Sequence, residues 1–292
     1  MQNSPMQDNL KQSNANQRLP WQPTLLIRAT IAIHCLAFIG IVIMPAWWRW
    51  ILGAIVVNHL LLAGIGMWPR SHWLGPNWTR LPAAATARNE IALTIDDGPD
   101  PVVTPQVLDI LDQHAAKATF FCIGDKAARY PALCQEIVRR GHTVENHSQH
   151  HHYLFALLGA RSLKHELQTA QNTLTSITGQ CPLFFRAPAG IRNPFLDPVL
   201  ATLGLKLATW SVRGFDTKTK DAERVKKTLL QHLRAGAILL LHDGNAARTP
   251  SGNPVIIEVL PSILESATAN QLRTVTLRHA LSCVQNACFS QQ

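Results

Sequence analysis

Asp96 and Asp97 close the apolar run Ile91–Ile95 and are followed at once by Gly98 and Pro99. Two adjacent carboxylates repel each other unless they share a positive charge. A source of that charge lies further along the chain. The stretch "ENHSQHHHY" carries His147, His150, His151 and His152. Two histidines about one turn apart plus one carboxylate make a three-ligand site for a divalent cation. His147 with His151, or His147 with His150, would both face one way on a helical turn, and spacing does not choose between them. One aspartate can bind the cation. The other can stay ionised beside it and act as a general base. The cation lowers the pKa of a coordinated water, and three protein ligands leave room for that water and a substrate oxygen. Further polar residues follow in "RAPAG" (Arg186–Gly190), at Asp216, and in "LLLHDG" with His242 and Asp243. Taken singly, a His-rich run is a solvated loop and paired aspartates form a cap or an Asx turn. Taken together, they point to a hydrolytic metal centre.

Those residues need elements to position them. After residue 89, short β-branched runs alternate with longer amphipathic ones. Strands are predicted at 91–95, 118–123, 142–146, 182–186, 206–211, 237–241 and 272–277. Helices are predicted at 104–114, 125–140, 162–178, 196–203, 221–234 and 255–267. About seven β–α units spell a parallel sheet. With both faces covered, a closed or nearly closed (β/α) barrel is expected, its chemistry at the C-terminal strand ends. Every polar candidate above falls at such an end.

The N-terminal third is different. Residues 1–23 are rich in Gln, Asn and Ser and read as a disordered tail. Residues 24–44 form an apolar run long enough to cross a bilayer, "PAWWRW" follows as a loop with interfacial tryptophans, and residues 51–68 form a second run. The reading is a two-helix transmembrane hairpin at 24–68, with a linker at 69–89 and a catalytic domain at 90–285. Arg28, His34, Asn58 and His59 inside the hairpin read as snorkelling or helix-contacting residues. The net charge of +9 is concentrated here: residues 1–88 carry +6 and the remainder +3. No nucleic-acid partner is needed to explain it. Six cysteines without a CxxC pair exclude a zinc framework or a disulfide scaffold, leaving free thiols or a single Cys283–Cys288 bridge.

The motifs resemble those of the polysaccharide deacetylases, the NodB-homology or carbohydrate esterase family four enzymes. "TIDDGP" resembles the family's TFDDGP, "HSQHH" its H(S/T)xxH, "RAPAG" its RxPxG, and "LLLHD" its LxH motif, in the family's order over about residues 90–280. "WSVRGFD" partly resembles a fifth. The resemblance implies a distorted (β/α) barrel of about seven parallel strands. It makes Asp96 the general base, Asp97, His147 and His151 the metal ligands, and His242 the general acid. Arg186 would orient Asp96, Asp216 would hold His242, and the Ala189 N–H would help stabilise the oxyanion. Leu240 and Trp210 would contact the substrate. The metal implied is Zn2+, with Co2+, Ni2+ or Mn2+ as substitutes. The sequence departs from the pattern at Ile95 (family Phe), Ala189 (often Tyr), and Arg213 and Thr217 (often Asp and Trp), the last changing the floor near the acetyl group.

The expectation is therefore a metal-dependent deacetylase of an N- or O-acetylated sugar, glycan or glycolipid, anchored in a bacterial-type inner membrane as a multi-pass protein. Flanking arginines and lysines place both hairpin ends in the cytoplasm, whereas a cell-envelope polymer would require the domain outside. Two rivals use the same residues: a non-haem iron enzyme with a His/His/Asp triad, and a non-catalytic membrane-bound glycan-binding protein. The first would need oxygen; the second has no need of both a base and an acid.

Overall fold

A computed structural model describes residues 21–289, with side chains described through Cys283. Residues 1–20 of the expected tail lie outside the described residues, and Cys288, half of the possible bridge, lies outside the described side chains. The elements in chain order are α1 (Leu25–Ile43), α2 (Trp48–Gly66), α3 (Ala83–Ala87), β1 (Glu90–Gly98), α4 (Val103–Gln113) and β2 (Ala118–Cys122). Then follow α5 (Gly124–Arg129), α6 (Pro131–Arg139), β3 (Thr143–Asn146), α7 (Ala160–Thr178), β4 (Phe184–Phe185), α8 (Leu196–Leu203), β5 (Lys206–Leu207) and β6 (Val212–Arg213). The chain finishes with α9 (Ala222–Leu230), β7 (Ile238–His242), α10 (Val255–Ala269), β8 (Arg273–Thr274) and α11 (Leu277–Phe289).

The strands run in the order β5-β4-β3-β2-β1-β7-β6, all neighbours parallel, with β8 added beside the start of β1. This is the expected (β/α) barrel, curled but left open between β5 and β6. β1 is buried along its whole length, as a central parallel strand covered on both faces must be. Ile91, Leu93 and Ile95 pack outward against Val107, Leu108 and Leu111 of α4 and Val259, Leu260 and Ile263 of α10. Ala92, Thr94 and Asp96 alternate with them and face the barrel interior, where Ala92 joins Phe121 and Ile238.

Three elements differ from expectation. The helix at 125–140 is two helices broken at Pro131, which has no N–H to continue the ladder. The strand at 206–211 shortens to β5 at 206–207, and β6 starts only at 212, beyond the expected run. The carbonyls of Ala208 and Thr209 turn inward to accept from Arg186 Nε (3.1 Å) and Nη2 (2.7 Å) instead of continuing a ladder. The segment 69–89 is packed: Trp78 bridges in parallel to Ala208, and Ser71, Leu74, Asn77, Leu81 and Ala85 are buried. It covers the open edge beside β5.

α1 and α2 form an antiparallel pair whose outer surfaces are exposed and apolar, long and apolar enough to cross a membrane. Their polar residues pair with one another. Thr30 donates to Asn58 Oδ1 at 3.2 Å, and the His34 and His59 rings meet edge-on at 5.2 Å. Arg28 reaches back to the Pro23 carbonyl at the helix end.

Candidate active site

Strand alternation would send Asp96 and Asp97 to opposite faces. β1 prevents this. Its register with β2 shifts between Asp96 and Gly98, and Asp97 takes a left-handed φ of 70°. The bulge swings both carboxylates onto the same rim: His147 Nε2 lies 3.1 Å from Asp97 Oδ1 and 3.9 Å from Asp96 Oδ2.

The segment after β3 is not the helical turn that spacing suggested. Ser148 and His151 both have left-handed φ (67° and 54°), and the Ser148 hydroxyl accepts from the His151 N–H at 3.0 Å. This loop brings His151 Nε2 to 3.2 Å from Asp97 Oδ1. His147 Nδ1 lies 2.8 Å from the Arg186 carbonyl, an obligate acceptor. That nitrogen therefore carries the proton, and Nε2 presents its lone pair. The ligating atoms of Asp97, His147 and His151 all lie within 4.8 Å of one another. Two imidazole nitrogens and one carboxylate oxygen, converging with an oriented tautomer, fit a Zn2+-type cation. His151 is pushed down to about 4 by burial and by His147, so its ring is neutral and available as a ligand near neutral pH. Burial opposes ionisation of Asp97, and positive charge around it, from a protonated His147, His242 or His151, lowers the carboxyl below its usual range. Asp97 is further fixed by Asn245 Nδ2 on Oδ2 (3.2 Å) and by Lys126 Nζ on its carbonyl (2.8 Å).

His150 points elsewhere. Its Nδ1 lies 2.8 Å from Glu166 Oε2, which raises its pKa, and its ring stacks on His152 at 5.1 Å.

Arg186, on the turn out of β4, is fully buried. Its Nη1 donates to Asp96 Oδ1 (2.7 Å) and to the Thr94 hydroxyl (2.8 Å), and its guanidinium stacks over Phe121 at 4.1 Å. With the two carbonyls already named, four of the five N–H donors are satisfied, as a buried charge requires. Burial lowers its pKa and Asp96 opposes that shift. Across the rim, His242 Nδ1 lies 2.8 Å from Asp216 Oδ1, and the His242 N–H donates to Asp216 Oδ2 at 2.7 Å. Nδ1 therefore holds a proton and Nε2 is left toward the site. Burial disfavours the imidazolium, but Asp216, Asp96 and Asp97 overcome it and raise the His242 pKa.

Ala189 is exposed on the loop after β4, with φ of 54°. Leu240 is buried on the same β7 face as His242, and Trp210 is buried behind the loop, against Gly190 and beside Arg186 and Arg213. Asp243 accepts from Thr104 and Gly244 and so fastens the loop that follows. Thr94, Phe121, Lys126 and Asn245 went unnoticed in the sequence. Thr94 was legible as the one polar residue within "IALTI". The other three carry no signal without the fold.

Such a site has an oriented carboxylate, a cation cradle and an imidazole held ready to give a proton. Residues 83–208 match the family model described as polysaccharide deacetylase. A chitooligosaccharide deacetylase from Bradyrhizobium sp. (strain ANU 289) is 40% identical over 155 residues, 53% of this chain and 70% of that protein. A peptidoglycan-N-acetylglucosamine deacetylase from Bacillus cereus is 32% identical over 193 residues, 65% of this chain and 87% of that protein. Among solved structures, the Bc1960 peptidoglycan N-acetylglucosamine deacetylase superposes with a TM-score of 0.63 at 26% identity, covering 70% of this chain and 92% of that one.

Proposed function

This chain belongs to the polysaccharide deacetylase family, and from that premise we propose that it is a metal-dependent hydrolase removing acetyl groups from an acetylated sugar, glycan or glycolipid, anchored in the membrane by residues 24–68 and catalytic through residues 90–285. The observation that carries the reading is the placement of Asp96 and His242 around the Asp97–His147–His151 cradle, each held by its own partner. A divalent cation in that cradle, Zn2+ above all, would supply Lewis-acid polarisation of the acetyl carbonyl and of the attacking water.

Asp96 takes the proton from the attacking water. Arg186 holds one of its oxygens at 2.7 Å and so aims the other. The water oxygen bonds to the acetyl carbon, and the Ala189 N–H donates to the oxyanion that develops. His242 Nε2 then delivers a proton to the sugar nitrogen as the C–N bond breaks. The products are acetate and a free amine. Asp216 keeps the imidazole oriented and favours its charged form. Leu240 and Trp210 shape the floor and back wall of the acetyl pocket.

The test is acetate release by the full-length protein in detergent from short N-acetylglucosamine oligomers, with Zn2+ added, with chelator, and in the Asp96→Asn and His242→Ala variants. Metal-dependent release that both substitutions abolish supports the reading. Release that survives Asp96→Asn removes it.

A further inference from the structure

The base of the hairpin is built into the catalytic rim. α1 begins and α2 ends at the same end of the pair, and that end meets the loop following β4. The Arg192 N–H donates to the Gly66 carbonyl at 3.1 Å, and a Cβ on Gly66 would come within 2.2 Å of the Arg192 carbonyl oxygen. Only glycine allows this approach. The Arg192 guanidinium donates to the Ser71 carbonyl. Thr24 donates to the Trp73 carbonyl at 2.7 Å, and Trp21 Nε1 to Asp197 Oδ2 at 2.7 Å. Gly190, next to Ala189, is wedged against Pro69 and Trp210. The same loop reaches the metal-ligand segment, because Asn193 Nδ2 donates to the carbonyls of Ala156 and Leu158 at 2.9 and 2.8 Å.

An apolar margin follows this chain of contacts. Tyr153, Leu154 and Leu157, just after His151, are 103%, 66% and 78% exposed, and Phe195 is 53% exposed. Met67 and Trp68, directly after Gly66 at the end of α2, are exposed as well. Arg161 and Lys164, exposed at the start of α7, follow this margin in the chain. Exposed apolar side chains followed in the chain by cations, and tied through Asn193 and Arg192 to a bilayer-length apolar hairpin, are the make-up an interfacial membrane contact uses.

We propose that the catalytic rim rests on the membrane surface and that the substrate is an acetylated sugar carried on a lipid in that same membrane. The inference rests on the deacetylase reading and on the hairpin spanning the bilayer. A head group on a lipid tail is presented at the height of the rim, where confinement raises its effective concentration. A soluble polymer would have to enter between rim and bilayer.

The experiment uses full-length protein in phospholipid vesicles and two substrates with one head group: octadecyl N-acetylglucosaminide embedded in the vesicles and methyl N-acetylglucosaminide in solution. The wild type is expected to hydrolyse the embedded substrate at least about tenfold faster at matched total concentration. The Leu154→Asp/Leu157→Asp double variant is expected to lose about tenfold on the embedded substrate and to stay within about twofold on the soluble one. Equal rates on the two substrates, or an equal loss on both in the variant, overturn the proposal alone. No acetate from either substrate, while N-acetylglucosamine oligomers are hydrolysed, overturns the proposal alone; no acetate from any of the three with metal present removes the deacetylase reading and the proposal with it. A benzophenone amino acid at Leu157 is expected to cross-link labelled phospholipid, and one at Ala269, at the far end of α10, is not. Folded, vesicle-inserted protein that fails to cross-link at Leu157 also overturns it.

Discussion

Arg186 and Asp96 stand 90 positions apart in sequence and form a buried ion pair at 2.7 Å on the rim of the barrel. The pair gives the protein its first prediction. Asp96→Asn leaves Arg186 a carbonyl oxygen to donate to, so the variant folds and keeps its metal, while acetate release falls by at least about a hundredfold. Arg186→Gln leaves the Asp96 carboxylate buried without its cation and destabilises the fold by about 3 kcal/mol or more. Denaturant unfolding and acetate assays on the two variants separate the effects. Wild-type turnover in Asp96→Asn would remove this carboxylate from the chemistry.

The pH profile depends on His242. Asp216 and the neighbouring carboxylates raise its pKa against the effect of burial, so the imidazolium persists to higher pH than that of a free histidine. A step that needs this proton is active below the raised pKa and fades as pH rises through it. Asp216→Asn removes the strongest raising influence. The basic limb of kcat/KM is expected to move to lower pH, with kcat reduced by about ten- to a hundredfold. An unmoved basic limb would mean that Asp216 does not tune His242.

Metal binding distinguishes two neighbouring histidines. His151 is neutral near pH 7 and converges on Asp97, whereas His150 is tied to Glu166. Zn2+ titration of metal-stripped full-length protein is expected to show affinity lowered by about a hundredfold or more in His151→Ala. The same measurement in His150→Ala is expected to stay within about threefold of wild type. The reverse order would assign the wrong ligand.

His142 gives a stability prediction away from the site. It is buried, with Nδ1 accepting from the Ala118 N–H, and burial with nearby Lys117 pushes its pKa down to about 4 from 6.5. Between those values the unfolded chain binds the proton and the folded chain does not. Stability is therefore complete above about pH 6.5 and declines as pH falls toward 4, by at most about 3 kcal/mol from this residue. His142→Phe should flatten that limb while lowering the plateau by about 1–2 kcal/mol, since the Ala118 N–H loses its acceptor. Unfolding midpoints measured across pH 4–7 decide it; an unchanged slope in His142→Phe would show that the ring does not carry the dependence.

Much of this was legible in the sequence because it follows local rules. The short, continuous apolar runs alternating with amphipathic helices after residue 89 announce parallel β–α units. The polar clusters at 96–97, 147–152, 186–190 and 242–243 stand out because they interrupt apolar strand ends. The bounds of β5 and β6 were not legible, because Arg186 takes the Ala208 and Thr209 carbonyls from across the barrel.

What the sequence determined by itself was the set of chemical groups, their order and the type of sheet that carries them, since composition and periodicity are properties of the chain alone. The tertiary structure decided which groups meet. Two adjacent aspartates share a rim only because β1 bulges where it pairs with β2. His151 rather than His150 reaches Asp97 only because two left-handed residues bend the loop. The hairpin stands beside the catalytic rim only because Gly66 and Arg192, far apart in the chain, come into backbone contact. Each is a long-range closure or a local departure from the regular period, and neither can be read from the run of residues.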